Sequence, residues 1–555
     1  MLENRIPALR LWLIVTLLCW GFSSEVTAQF SRADSLRGAM RPERSCFDVT
    51  HYDLDIRLNP SQKTIEGQNT ITFKVTQPTS RIQLDLFENL KIKWIKLNNP
   101  NAPDLNHVRE YNAIFVDLPR ELKAGETQSV VVGYGGKPQE AFRAPWDGGF
   151  VWKQDPAGKP WVGVACEGTG ASLWWPCKDH LSDEPDSMRI SVEVPQGLSA
   201  VCNGNLRKAS DLEGGWTRFE WGVSYPINNY NVTVNVADYA HFHDTYTNAS
   251  GTHDLDYYVL RHNEEKAKKQ FQQVKPMLEI YERAFGEYPF WKDGYALVET
   301  HYLGMEHQGA IAYGNHYLSG YDGFDPLGLG FDYIIIHETG HEWWGNSVSC
   351  KDHAELWIHE SFCTYSEAIY VEAIWGKEMA TKYLMNQRGQ ILNASPVVGP
   401  LDVNFDGWMG SDMYYKGAWM LHTLRNQVND DQLWWATIRS FAEDFRFKNT
   451  DTKEVMAYFN KKLGKDFGWL FDQYLFVASA PVLEYKVKAK GGSCQLSCRW
   501  VAKPSNFSLK INVLGGENPV SIQPTTTLQK FDLPIEAEAL KFDFGTWYGK
   551  VKKMD

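Results

Sequence analysis

Polarity along the first half of the chain alternates residue by residue. Tyr52, Leu54, Ile56 and Leu58 alternate with Asp53, Asp55 and Arg57, and Ile71, Phe73 and Val75 alternate with Thr72 and Lys74. A period of two buries one face of each run and wets the other, which predicts strands. Turn-forming clusters such as Asn59-Pro60-Ser61 separate the runs. The period then changes near residue 262. Ala267, Phe271, Val274, Leu278, Tyr281 and Phe285 recur at steps of three and four, one face of a helix, with Gly286 as its cap and Pro276 as a candidate kink. Helical periodicity continues to about residue 475, and strand patterns return at residues 482–489, 495–502 and 508–514. The expected fold class is α+β multidomain. It comprises an N-terminal antiparallel β domain over 29–260, a mainly helical domain over 261–478 and a small C-terminal β-sandwich over 479–555.

The first residues do not fit this plan. Arg5 and Arg10 precede a short apolar run, Leu11 to Phe22, and Val26-Thr27-Ala28 supplies small residues before a cut ahead of Gln29. This predicts a cleaved leader over 1–28 and an exported chain, periplasmic or extracellular. An uncleaved anchor is the alternative, but the run is short for a bilayer. No other segment is long and apolar enough to cross one, so no stable membrane insertion is expected after cleavage.

Composition narrows the classes further. With 43% hydrophobic and 22% charged residues over 555 positions, the chain reads as globular and large enough for several domains. A net charge of −12 without a basic stripe argues against nucleic acid as a partner. The 22 tryptophans point mainly to aromatic cores, with some available to line a cleft. Of nine cysteines, eight follow the leader, an even number that permits disulfides in an exported chain. Cys494 and Cys498 are close enough in sequence to pair locally, and no paired CxxC motif supports a four-cysteine zinc site.

The candidate chemistry lies in the helical region. His337-Glu338-Thr339-Gly340-His341 follows the apolar run Phe331 to Ile336. Two histidines four apart on a helix share one face and can bind one metal. Glu338, about 100° around the helix, can face a water instead. A zinc site that keeps an open position needs a third protein ligand. Glu360 is the natural one, with eighteen residues between it and His341, at the start of a second apolar segment, Leu356 to Phe362.

These residues resemble the M1 family of zinc aminopeptidases, gluzincins whose relatives include aminopeptidase N. The family motif HELAHQWFGN is similar to HETGHEWWGN at residues 337–346, and WLNEGFA is similar to WIHESFC at 357–363. The likeness extends to FDVTHYDLDIRLNP at 47–60 and spans nearly all the mature chain. It implies a thermolysin-like catalytic domain, one Zn2+ held by His337, His341 and Glu360, Glu338 as general base, and peptides with a free N-terminus as substrates. It also carries over Tyr414 of Tyr414-Tyr415-Lys416-Gly417-Ala418 as donor to the oxyanion, and Glu367 as the carboxylate that orients a ligand histidine. Met305 and Glu306 match the family's GxMEN motif, whose Glu binds the substrate α-amine; Leu303 and His307 depart from it. Glu167 keeps the Glu of a QxE segment that helps hold the amine, while Ala165 lacks the Gln. Longer members add a C-terminal helical domain; here residue 555 follows the small β domain, which predicts a more open cleft that admits longer peptides. Two alternatives stand: a zinc endopeptidase, which would not need Glu306, and a non-catalytic peptide-binding protein, which would not need the full ligand set.

Overall fold

The structure is a computed structural model and describes residues 30–555. The expected leader at 1–28 and Cys19 lie outside the described residues.

The alternating run at Phe47–Asn59 forms the middle strand of a seven-stranded sheet. Tyr52, Leu54, Ile56 and Leu58 are all buried, as the period-two pattern requires. Thr64–Val75 pairs antiparallel on one side of it, Leu58 opposite Ile65. Ser187–Pro195 pairs parallel on the other, Leu54 opposite Ile190. The sheet is thus antiparallel apart from this one parallel pair. Beneath it, a four-stranded sheet contains the hairpin of Gly149–Gln154 and Pro160–Ala165, and the chain leaves that hairpin directly into Cys166 and Glu167.

The hairpin of Tyr239–Asn248 and Gly251–Leu260, expected within the N-terminal β domain, joins the helical unit instead. Gly251–Leu260 pairs parallel with Tyr295–Glu299, Leu255 opposite Tyr295. Leu255, Tyr257 and Val259 pack into the core of that unit. Period-two alternation identifies a strand but not the sheet it joins. The same five-stranded sheet ends in the short edge strand Gly304–Met305, antiparallel to Ile311–Tyr313, and so delivers Glu306.

The predicted helix from 267 to 285 is divided. Glu264–Gln270 is one helix, Phe271–Gln273 a 3-10 turn, and Val274–Phe285 (α1) the next helix, capped by Gly286 at φ +98°. Pro276 cannot donate to the carbonyl of residue 272 and its ring clashes there, which places the break one turn ahead of the proline. Tyr333–Gly340 (α2) begins where the Asp332 carboxylate accepts from the amides of Ile334 at 3.0 Å and Ile335 at 3.4 Å. Trp357–Trp375 (α3) is buried at every position from Trp357 to Val371, a helix of the core rather than of a surface. Asp412–Val428 (α4) approaches α3 so closely that a Cβ at Gly417 would lie 1.7 Å from Ser361 Oγ. Among the described residues, no helix is long and apolar enough to cross a membrane.

Strands from Val482 onward form two small sheets of four and three strands. Cys494 and Cys498 lie four apart on one strand, Cys494–Val501. That spacing separates their Cα atoms by about 13 Å, against about 4.4–6.8 Å in a disulfide, so the local pairing is excluded. All eight described cysteines are buried free thiols.

Candidate active site

Helix α2 carries His337, and His341, its C-cap residue in helical conformation, faces the same way, with their Nε2 atoms 3.3 Å apart. Glu360, in the first turn of α3, places Oε2 3.6 Å from His337 Nε2 and 3.4 Å from His341 Nε2. That Oε2 is buried without a hydrogen-bond partner. The other ring nitrogens are engaged. His337 Nδ1 donates to Glu367 Oε1 at 2.7 Å, and His341 Nδ1 donates to the Trp344 carbonyl at 2.8 Å. With Nδ1 carrying the proton, each Nε2 turns a bare lone pair toward Glu360. Donors held about 2.0–2.2 Å from one tetrahedral zinc lie about 3.3–3.6 Å apart. The three atoms found here meet that spacing, and the orphaned carboxylate oxygen is one that an ion would satisfy. When both rings are instead protonated at Nε2 as well, their charge outweighs the burial that pushes the Glu360 carboxyl up and holds the group below the usual carboxylate range.

Glu367 is held in turn by Tyr383 Oη at 2.6 Å and Gln387 Nε2 at 2.8 Å, both on the helix Lys377–Gln387. Neither was identified from the sequence. Their four-residue spacing on one helix was the available signal.

Glu338 lies beside the edge strand that carries Met305. Burial, with Glu306 and Glu360 adding to it against the pull of His337 and His341, pushes its carboxyl up to about 7, where a base for neutral pH is wanted. A Cβ at Gly304 would sit 2.4 Å from Glu338 Oε1 and 2.9 Å from Ile334 Cγ2, so only glycine admits this approach. Gly304→Ala is expected to displace the carboxylate and lower kcat by about 10²-fold. Steady-state kinetics alongside metal analysis checks this; unchanged kcat would mean that this strand does not set the Glu338 position.

Glu306 and Glu167 reach the cleft from different sheets, one just after the edge strand and the other just after the β hairpin. Carboxylate oxygens of Glu167, Glu306 and Glu360 all lie within 4.8 Å of one another. Burial raises both Glu306 and Glu167, and for Glu167 the neighbouring Glu306 and Glu360 add to it. Glu167 Oε1 is buried without a partner. A cation placed here would relieve the mutual repulsion. Tyr414, on the first turn of α4, faces His337 with ring centroids 6.3 Å apart. Burial, then the Glu360 charge, pushes its phenol well above the usual value, so it remains an O–H donor.

These groups line one cleft of about 430 Å³, which Trp146, His353, Asp406 and Trp408 also border. The last two belong to a stretch with little regular structure, so no periodicity marked them. Of the three departures noted in the motifs, Leu303 lines the cleft, whereas Ala165 and His307 are fully buried outside its lining.

Two family models match the chain: the peptidase M1 N-terminal domain over residues 49–230 and the peptidase family M1 domain over residues 269–474. The chain belongs to peptidase family M1. Its similarity to curated members is distant. Endoplasmic reticulum aminopeptidase 1 of Rattus norvegicus is 23% identical over 428 residues, 73% of this chain and 45% of the relative. Aminopeptidase N of Lactobacillus helveticus is 23% identical over 481 residues, 80% of this chain and 52% of the relative. The chain thus spans about half the length of the curated relatives it matches. Among solved structures, a variant of the M1 zinc metallopeptidase from Deinococcus radiodurans bound to Tyr-Ser-Ala substrate aligns with a TM-score of 0.65 at 22% identity, covering 80% of this chain and 97% of that one. The family fold, with a β-rich N-terminal part, a helical core and a C-terminal β region, is therefore this chain's fold.

Proposed function

We propose that this M1 family chain is an exported zinc aminopeptidase that removes N-terminal residues from peptides. The observation that carries the reading is the placement of Glu306 and Glu167 in the same cleft as the His337, His341 and Glu360 donors. A peptide ammonium between the two acids brings the first peptide bond, and no later one, to those donors. Zinc, when bound, supplies Lewis acidity that makes water a nucleophile near neutral pH and polarises a carbonyl. Glu338 takes the proton from the attacking water and passes it to the leaving amine. Tyr414 donates to the oxygen on which charge develops. Glu367 keeps the His337 proton on Nδ1, so that Nε2 remains a ligand. Export, to the periplasm or beyond, rests on the leader pattern at residues 1–28.

A pentapeptide with a free N-terminus, followed by mass spectrometry, tests the direction of cleavage. Successive loss of single N-terminal residues is expected. Early internal fragments would favour the endopeptidase reading, and no cleavage by the zinc-loaded chain would favour the binding protein.

A further inference from the structure

Four consecutive residues, 228–231, lie where the β region meets the site. Asn228 Nδ2 donates to the Gly345 carbonyl at 2.7 Å, and Asn229 Nδ2 donates to the Lys178 carbonyl at 2.7 Å. Asn231 Nδ2 donates to Asn346 Oδ1 at 2.7 Å, and Asn346 Nδ2 donates to the Glu306 carbonyl at 2.8 Å. Between these amides, the buried Tyr230 puts its phenol 3.1 Å from Glu306 Oε1 and 3.4 Å from His359 Nδ1.

One backbone amide sets the direction of every proton in this chain of contacts. The Cys350 N–H points at His359 Nε2 at 2.8 Å. A backbone N–H can only donate, so Nε2 is the acceptor and the ring proton sits on Nδ1. His359 Nδ1–H then donates to the Tyr230 oxygen. The single Tyr230 proton is left to donate to Glu306 Oε1. The order runs Cys350, His359, Tyr230, Glu306, with no group free to turn around.

We propose that Tyr230, oriented by His359, is a positioning residue that aims the Glu306 carboxylate at the substrate ammonium. This rests on the reading of Glu306 as the ammonium anchor. Glu306 shares its surroundings with Glu167 and Glu360, whose carboxylate oxygens come within 4.8 Å of its own. Repulsion from both would swing an untethered side chain away from the position where a cation is held. The phenol fixes one oxygen against that repulsion, while Asn346 fixes the carbonyl of the same residue. His359 and Tyr230 lie 129 residues apart in sequence, and Tyr230 and Glu306 lie 76 apart, so the arrangement exists only in the fold.

The test compares two ligands on the zinc-loaded protein by calorimetry: leucine hydroxamate and its des-amino counterpart, 4-methylpentanohydroxamate. Both offer the same metal-binding group, and their difference isolates the ammonium. Wild-type protein is expected to prefer the amino compound by at least about tenfold, and Tyr230→Phe to lose about tenfold of that preference while the Kd of the des-amino compound stays put. KM for free-amine substrates should rise in the same variant more than kcat falls. Equal weakening of both hydroxamates, or an unchanged preference, would overturn the positioning role. His359→Leu removes the donor to Tyr230 from the far side and is expected to lose preference in the same direction, which keeps the test decisive where Tyr230→Phe does not accumulate as folded protein. Equal binding of the two compounds by wild-type protein is a different failure: it removes the ammonium anchor itself, and the positioning role with it.

Discussion

Glu338→Gln is expected to lower kcat by about 10²–10⁴-fold while leaving zinc content and thermal stability close to those of the wild type. The argument is local. Gln is nearly isosteric with Glu, so the close approach of Gly304 to the side chain is preserved. The amide cannot accept a proton at neutral pH, so the attacking water loses its base and the leaving amine its acid. The metal donors are other residues, His337, His341 and Glu360, and nothing in their mutual spacing depends on the residue at 338. Stopped-flow or steady-state kinetics with metal analysis on the same sample reads both quantities. A variant that keeps full kcat would remove Glu338 from the mechanism. One that loses its zinc would leave the base untested by kinetics but would show that Glu338 supports the metal site, contrary to the roles assigned here.

Glu306→Gln carries the second large effect. The amide keeps an oxygen for the Tyr230 hydroxyl and removes only the charge. Truncating one partner of a buried ion pair costs about 2–5 kcal/mol, so kcat/KM on free-amine substrates should fall by about 30- to 5,000-fold. Stability should move the other way. In the free protein Glu306 is a buried carboxyl raised by desolvation and facing Glu167 and Glu360. Neutralising it removes a repulsion that only the substrate relieves, so Tm is expected to stay level or rise. Loss of activity with a falling Tm would point to a structural role for Glu306 instead.

The parts of this site that were legible in the sequence are those fixed by helix geometry. His337 and Glu338 stand on one helix with His341 as its C-cap, and Glu360 begins another, so spacing along the chain translates directly into position. Met305, Glu306, Glu167, Tyr414 and Glu367 were found only through resemblance to the family. Tyr230 and His359 escaped both routes. A buried tyrosine and a buried histidine are ordinary core residues until the fold brings them together. Strand membership was lost for a related reason. Leu255, Tyr257 and Val259 announce a strand by alternation, but pairing with Tyr295–Glu299 is decided by packing across the sheet. The break ahead of Pro276, by contrast, follows from the proline itself, its missing N–H and its ring.

The most direct test of the central claim is hydrolysis of one aminoacyl arylamide in two forms, free and N-acetylated, with and without a chelator and with zinc restored. The account predicts rapid hydrolysis of the free-amine form, loss of it on chelation, recovery with about one zinc per chain, and turnover of the acetylated form slower by about 10²-fold or more. Equal rates on the two forms, or activity untouched by removal of the metal, would contradict it.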